Sequence, residues 1–128
     1  LEELLKESDI VSLHIPSTAA TKGFLSAERR ALMKKSAILI NCARGAVVDN
    51  KALADALNAE NIAGAAIDVF DMEPPIPADY PLLSAKNTLL TPHVAFASKE
   101  SMIRRAKIVF DNIYAYLDGK PVNVCDIK

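Results

Sequence analysis

The sequence predicts an α/β fold, in which a parallel sheet is covered by helices on both faces. Short apolar segments alternate along the chain with amphipathic helical segments, which is typical of repeated strand–helix units. The strand candidates are almost continuously apolar, as expected for strands that are buried on both faces. A length of 128 residues is about one domain.

Four strands are expected. Each is a short apolar run, and the first and the last are stopped by Pro16 and Pro92. The predicted strands cover residues 10–15, 37–40, 64–69 and 88–91.

Four helical segments separate and flank these strands. The chain begins with leucines at helical spacing, which indicates the end of an amphipathic helix. Ser26, Asp49 and Ser98 are predicted N-caps of the next three helices. The second helix is expected to reach the lysines at 34 and 35, and the last to run to 117 before Gly119 and Pro121. Four prolines at 74, 75, 77 and 81 exclude a regular element in that loop.

Composition excludes several classes of partner. Lys and Arg total 15 and Asp and Glu total 16, so the net charge of −1 gives no reason to expect nucleic acid or an anionic membrane surface. The sequence contains neither an apolar run of 18 residues nor a signal segment, and we expect no membrane association. An apolar fraction of 51% is typical of a folded core.

Cysteine and glycine usage narrow the prediction further. Cys42 and Cys125 lie far apart and form no CxxC, so we expect no disulfide framework, no metal site and a reducing cytoplasm. The four glycines cannot form a GxGxxG or P-loop motif. Because the chain also begins at Leu1, inside a helix, we interpret it as the tail part of a longer protein.

Ligands of parallel sheets bind at the carboxyl ends of the strands. This rule selects residues 14–16 and 41–45, Asp68 with the loop after it, and residues 91–93. The Arg44 guanidinium can bind a carboxylate through two hydrogen bonds. The His93 imidazole can donate and accept a proton near neutral pH, and a carboxylate such as Glu73 nearby would raise its pKa.

Each of these residues has a structural alternative. Arg44 could form a surface salt bridge, and Glu73 could simply be solvated. His93 and His14 could be packed, hydrogen-bonded residues. Asp68 could accept from the backbone of a neighbouring loop rather than from a ligand amide. The convergence of an arginine, a histidine and a glutamate on one sheet edge favours acid–base chemistry on a small anion.

Several motifs resemble one family. They are SDIVSLHIP at 8–16, MKKSAILINCARG at 33–45, AVVDNKALADAL at 46–57, GAAIDVFDMEP at 64–74 and NTLLTPHVA at 87–95. In this order and spacing they resemble the D-isomer-specific 2-hydroxyacid dehydrogenases, which include D-3-phosphoglycerate dehydrogenase and glycerate/hydroxypyruvate reductases. The resemblance covers nearly all of the chain.

The resemblance implies a Rossmann-like fold and a position within a longer enzyme. Residues 1–128 would be the C-terminal half of a nicotinamide-dinucleotide-binding domain. Within it, residues 98–128 would be the final helix and the return toward a substrate domain. One departure from the family pattern is Phe96-Ala97-Ser98, where Gly-x-Thr is common.

The family's catalytic roles carry over to three residues. Arg44 matches the arginine that holds the substrate carboxylate, His93 matches the catalytic acid/base, and Glu73 matches the acid that pairs with that histidine. The implied reaction is hydride transfer to C2 of a 2-keto acid, with proton donation by His93.

The implied cofactor is NAD, with NADP left open. Asp68 matches the carboxylate that binds the nicotinamide carboxamide. The other residues expected at the cofactor are Ile15, Pro16, Cys42, Ala43, Arg44, His93 and Ala95.

These expectations concern the longer protein, for which we expect a homodimer acting on a small 2-keto or 2-hydroxy acid. The 128 residues alone should be inactive, because no phosphate-binding glycine motif is present. Two alternatives are a non-catalytic, corepressor-like regulator on the same scaffold and a generic α/β domain whose candidate site residues are all structural.

Overall fold

The computed structural model describes residues 1–72 and 75–125. It contains two compact units, Leu1–His93 and Val94–Lys128. The first holds the whole sheet and the second holds the long final helix.

The first unit contains a four-stranded sheet in the order β1-β2-β3-β4, with every neighbouring pair parallel. The strands are β1 (Ile10–Leu13), β2 (Ile38–Asn41), β3 (Gly64–Ile67) and β4 (Thr88–Leu90). Strand order follows chain order, so the carboxyl ends of all the strands lie along one edge. The predicted parallel sheet is confirmed.

Three of the four strands end earlier than predicted. β1 stops at Leu13, which pairs with Asn41, and Asn41 in turn pairs with Ile67, the last residue of β3. The ladder therefore ends at one level across these three strands. His14, Asp68 and the residues after them consequently belong to loops at the sheet edge.

Within the described residues, four helices and two 3-10 turns alternate with and follow these strands along the chain. The helices are α1 (Glu2–Glu7), α2 (Ala27–Arg30), α3 (Asn50–Asn58) and α4 (Lys99–Leu117), with 3-10 turns at Gly45–Val47 and Pro81–Leu83. The three predicted N-caps are confirmed. Each accepts a hydrogen bond from the backbone N–H three residues later, at 3.4 Å for Ser26, 2.9 Å for Asp49 and 3.1 Å for Ser98.

Two predictions of local structure were wrong. The second helix does not reach residue 35 but ends at Arg30, because the Leu32 and Met33 amides donate to carbonyls only three residues back and so tighten the chain into turns. The proline-rich loop does contain a regular element, the 3-10 turn at Pro81–Leu83. Proline fits at the first position of such a turn, where its missing N–H is not needed.

The core lies against one face of the sheet. Val11, Leu39 and Ile67 are buried there, as are Leu53 and Leu57 of α3. On the opposite face large apolar side chains of three strands are exposed, namely Ile10, Ile38 and Leu89. Among the described residues of the first unit, the core therefore covers one face of the sheet.

The second unit is dominated by α4, which confirms the predicted helix from Ser98 to Leu117. Large apolar residues of this helix are exposed, including Ile103 and Phe110. Gly119 adopts a left-handed backbone with φ +71° just after the helix, as expected for a C-terminal glycine. Among the described helices none is both long and apolar enough to cross a bilayer.

Candidate functional site

A cleft of about 370 Å³ opens at the carboxyl edge of the sheet. Arg44 and His93, predicted from separate strand ends, both line it. Most of its wall is apolar and includes Phe70, Met72 and Leu83. The structure thus brings a cation and an imidazole to one largely apolar cleft.

Arg44 is held in place by its neighbours in the loop after β2. The fully buried Asn41 side chain accepts from the Ala43 N–H and donates to the Arg44 carbonyl, each at 3.1 Å. The exposed Arg44 guanidinium donates through Nη1 to the Ala43 carbonyl at 2.6 Å. Among the described residues it forms no salt bridge, in contrast to the structural alternative for this arginine.

Gly45 lets the loop after β3 approach the loop after β2. A Cβ atom at this position would lie 1.9 Å from the Phe70 carbonyl carbon and 2.4 Å from the Asp71 nitrogen. Only glycine fits such a contact between backbones. Asn50, in the first turn of α3, donates to the Gly45 carbonyl at 3.4 Å and so also holds the loop after β2.

His93 lies just beyond β4 and is exposed. Its φ of +58° is in the left-handed region, which is uncommon for a residue with a side chain. The segment is anchored two residues earlier by the Thr91 N–H, which donates to the Ile67 carbonyl at 3.0 Å. Such backbone strain is often found at functional sites.

Asp68 is buried, with 3% of its surface exposed, at the end of β3. Its Oδ1 accepts from the Thr91 hydroxyl at 2.5 Å, and its N–H donates to the Asn41 carbonyl at 3.0 Å. A buried carboxylate needs such partners, because its desolvation is costly. The Asp68 carboxylate is thus hydrogen-bonded within the protein, by the hydroxyl of Thr91 among others, which agrees in part with its structural alternative. Thr91 itself lines the cleft, so Asp68 lies directly behind it.

Five of the residues predicted near the cofactor line a second depression of about 360 Å³, which we call the groove. Its lining consists of His14, Ile15, Pro16, Cys42, Ala43 and Arg44. Arg44 therefore borders both the groove and the cleft, and the two spaces adjoin at its side chain.

His14 does not match the expectation of a packed residue. It is exposed and lies beyond the end of β1. Its ring nitrogen Nε2 is hydrogen-bonded to the Ser12 hydroxyl at 2.8 Å. The expected hydrogen bond is present. The expected burial is not, because β1 ends at Leu13, one residue before His14.

Two predicted site residues are not brought to the cleft by the described structure. Glu73 lies outside the described residues. Ala95 belongs to the second unit, which is described separately from the cleft.

Four residues that support the site were given no role in the sequence analysis, although three of them, Asn41, Asp71 and Thr91, lie in the segments that it selected. Asn41 and Thr91 are polar residues at the ends of apolar strands, and that change in polarity was a usable signal. Tyr80 donates from its hydroxyl to the Asp71 Oδ1 at 2.6 Å, across a loop that gave no such signal. Burial, reinforced by the bond to Asp71, raises the pKa of the Tyr80 hydroxyl well above its usual value.

In the part of the chain that the structure describes, no group of three or more His, Cys, Asp or Glu side chains is arranged to bind a metal ion. Both cysteines are free and exposed.

Comparison with known proteins gives concordant results. The family profile "D-isomer specific 2-hydroxyacid dehydrogenase, NAD binding domain" matches residues 1–95. The glyoxylate reductase of Korarchaeum cryptofilum is 50% identical over 120 residues, which are 94% of this chain and 36% of that protein. The glycerate dehydrogenase of Methylorubrum extorquens is 46% identical, over 98% of this chain and 40% of its own length.

Solved structures agree with these sequences. An NAD-complexed D-isomer specific 2-hydroxyacid dehydrogenase from Lactobacillus delbrueckii ssp. bulgaricus has a TM-score of 0.83 at 36% identity, covering 96% of this chain and 42% of that one. An acyclic imino acid reductase in complex with NADPH and D-Arg has a TM-score of 0.89 at 39% identity, covering 98% and 39%. The chain thus spans well under half the length of each of these four proteins.

Proposed function

Because the chain belongs to the family of NAD-binding domains of the D-isomer-specific 2-hydroxyacid dehydrogenases, we propose that it is part of an oxidoreductase that interconverts 2-keto acids and D-2-hydroxy acids. In this proposal residues 1–128 form the C-terminal half of the dinucleotide-binding domain, and residues 98–128 lead back to a substrate domain. The observation that carries the proposal is that Arg44 and His93 line the same cleft.

Arg44 is the proposed anchor for the substrate carboxylate. Its bond to the Ala43 carbonyl uses Nη1, and a guanidinium has five N–H donors in all. The remaining donors can form a planar pair of hydrogen bonds with a carboxylate. The apolar wall around Arg44 lowers the local dielectric constant, which strengthens this interaction relative to one in open water.

His93 is the proposed proton donor to the oxygen that develops negative charge at C2. An imidazole side chain can both donate and accept a proton, which suits a reaction that runs in either direction. Proton transfer of this kind contributes about 10²- to 10⁴-fold to a rate. Glu73 is proposed to pair with His93 and to favour the protonated imidazole for reduction.

The residues at the sheet edge fit a nicotinamide group. Ile15, Pro16 and Ala43 give the groove apolar surface for a ring face, and Asp68 offers a carboxylate acceptor for a carboxamide N–H. Cys42 and Arg44 complete the groove wall, and we place His93 and Ala95 in the same binding set. When bound, the dinucleotide supplies the hydride; we propose NAD, with NADP as the alternative.

Further proposals concern the longer protein. The 128 residues alone should show no turnover, because the sequence contains no glycine motif for the pyrophosphate. A homodimer would bury part of the apolar surface that Ile10 and neighbouring residues leave exposed. Two free cysteines are in keeping with a cytoplasmic location.

The proposal is tested by steady-state kinetics on the longer protein, with glyoxylate, hydroxypyruvate and pyruvate as substrates and NADH or NADPH as reductant. His93→Gln should lower kcat by about 10²-fold or more, while the dissociation constant for NADH, which depends on several other residues as well, should rise by a much smaller factor. Arg104→Gln, which removes an exposed arginine of α4, is the matched surface control and should leave both values unchanged.

Two results would contradict the proposal. One is a wild-type protein that binds the cofactor yet reduces none of these keto acids. The other is full activity in His93→Gln. Nothing in the structure or the comparisons supports the corepressor-like alternative.

A further inference from the structure

We propose that Tyr80 and Asp71 are positioning residues that set the place of Arg44 at the cleft. The hydrogen bond between them holds the loop after β3 against Gly45, and this contact fixes the residue immediately before Gly45. The inference rests on the proposed role of Arg44 in binding the substrate carboxylate.

Tyr80 holds two consecutive residues of the loop. Its hydroxyl donates to the Asp71 Oδ1 at 2.6 Å, and its ring meets the Phe70 ring edge-on, with centroids 5.7 Å apart and planes at 80°. Only 6% of Tyr80 is exposed, whereas Asp71 lies at the surface, so the hydrogen bond is partly shielded from water. Such a bond to a carboxylate is stronger than one between neutral groups.

The same two loop residues press on Gly45. A Cβ atom at Gly45 would lie 1.9 Å from both the carbon and the oxygen of the Phe70 carbonyl. At this separation the two backbones are in direct contact, so a displacement of the Phe70–Asp71 peptide changes the packing of Gly45. Gly45 is also held through its carbonyl by Asn50, and this leaves the residue little freedom to move independently.

Residues from both loops line the cleft. Phe70 and Met72 come from the loop after β3, and Arg44 and Gly45 from the loop after β2. The spacing of the two loops therefore determines how far the Arg44 guanidinium stands from the opposite wall. Without the Tyr80–Asp71 bond, the loop after β3 can move away and the arginine loses its defined position.

Other features of the molecule give weaker support for a functional inference. The exposed apolar residues of the sheet and of α4 lie on surfaces for which nothing in the structure identifies an occupant. Cys42 lines the groove, but no second feature there points to a ligand for its thiol.

The test is Tyr80→Phe in the longer protein, because this variant removes the hydroxyl and retains the ring that contacts Phe70. We expect KM for the 2-keto acid to rise about tenfold, because a misplaced Arg44 would lose substrate-binding free energy equal to that of about one hydrogen bond. The value of kcat and the dissociation constant for NADH should each change by less than about threefold. Tyr116→Phe is the matched control, since that tyrosine is 73% exposed on α4.

Variants of the partner residue separate positioning from a general loss of stability. Asp71→Asn retains an acceptor for the Tyr80 hydroxyl and should have a KM near the wild-type value. Asp71→Leu removes the acceptor and should match Tyr80→Phe, and the double variant Tyr80→Phe/Asp71→Leu should be no worse than either single variant.

Amide hydrogen exchange provides a readout that does not depend on activity. The Val47 and Val48 amides donate to the carbonyls of Arg44 and Gly45 at 3.3 Å and 3.1 Å. They should exchange faster in Tyr80→Phe and Asp71→Leu than in the wild type, and at the wild-type rate in Asp71→Asn.

The outcomes distinguish this inference from the proposed function. A wild-type protein without keto-acid reduction would refute the proposed function, and the exchange rates would still decide whether Tyr80 holds the loop. An active wild type with unchanged KM and unchanged exchange in Tyr80→Phe would overturn the positioning role alone. A fall in kcat and a weakening of NADH affinity as large as the rise in KM would also overturn it, since these together would indicate a general structural defect.

Discussion

The two loops that deliver Arg44 and His93 to the cleft are held in different ways. The Arg44 loop is fixed from inside the protein, by the buried amide of Asn41 and by the contact of Gly45 with the Phe70 backbone. His93 is presented from an exposed segment whose backbone is in the left-handed region. The position of the arginine should therefore depend on core packing, whereas the histidine is presented from a surface segment.

This difference predicts separate consequences for stability and activity. Changes that disturb the Arg44 loop should lower both the free energy of unfolding and the affinity for a carboxylate. Changes at His93 should lower activity with little effect on unfolding. The predictions below are ordered from the largest expected change in stability to the smallest.

Gly45→Ala should be the most damaging substitution. The new methyl group would overlap the Phe70 carbonyl, which is backbone and cannot rotate away as a side chain could. We expect the free energy of unfolding in a urea titration to fall by about 3 kcal/mol or more. Gly64→Ala is the control, since its methyl group would lie 3.1 Å from the nearest atom. A Gly45→Ala protein as stable as the Gly64→Ala protein would show that the loops are not tightly packed.

Asn41→Leu should have the next largest effect. The substitution keeps the side-chain volume but removes both partners that Asn41 provides to the Ala43 N–H and the Arg44 carbonyl. Leaving these backbone groups without partners should cost about 1–3 kcal/mol of unfolding free energy. It should also raise KM for the keto acid. Asn61→Leu, at an exposed position, is the control for the change of residue type. Equal stability of the two variants would contradict the role of Asn41.

His93→Gly tests the segment that presents the histidine, which is compared with the Arg44 loop. Glycine adopts a left-handed backbone without a steric penalty, so the free energy of unfolding should change by less than about 1 kcal/mol while turnover is lost. Asn87→Gly relieves a similar backbone conformation, with φ +54°, outside the cleft and should retain turnover. A large loss of stability in His93→Gly would show that this segment is held by packing, as the Arg44 loop is.

The smallest effect concerns the ionisation of Tyr80. Burial and the bond to Asp71 raise its pKa, so the protonated hydroxyl is favoured in the folded state. The resulting stabilisation is present below the ordinary tyrosine pKa and is lost only as the pH rises through the higher folded value. Ultraviolet titration of the folded protein should therefore give the same phenolate signal in Tyr80→Phe and in the wild type around the ordinary tyrosine pKa. A smaller signal in the variant would mean that Tyr80 ionises normally.

Local rules were enough to predict several elements. Ser26, Asp49 and Ser98 were recognised as helix caps because a cap depends on hydrogen bonds to residues only three positions away. The extent of α2 was not predictable in this way. Its length depends on what the following residues pack against, and that is a property of the tertiary fold.

The candidate site was predictable in part. Arg44 and His93 were placed together because the carboxyl ends of parallel strands share one edge, and the cleft contains both. The Tyr80–Asp71 bond was not predictable, because its two partners are joined only when the proline-containing loop closes on itself. The role of Gly45 was likewise hidden, since its close neighbour comes from a different strand end.

The most direct test of the account is a crystal structure of the longer protein with NADH and oxamate, a stable analogue of a 2-keto acid. The account predicts that the oxamate carboxylate lies at about 2.8 Å from the Arg44 guanidinium, and that the carbonyl oxygen lies within about 3 Å of a His93 ring nitrogen. Oxamate bound away from Arg44, or a His93 ring directed out of the cleft in that complex, would contradict it.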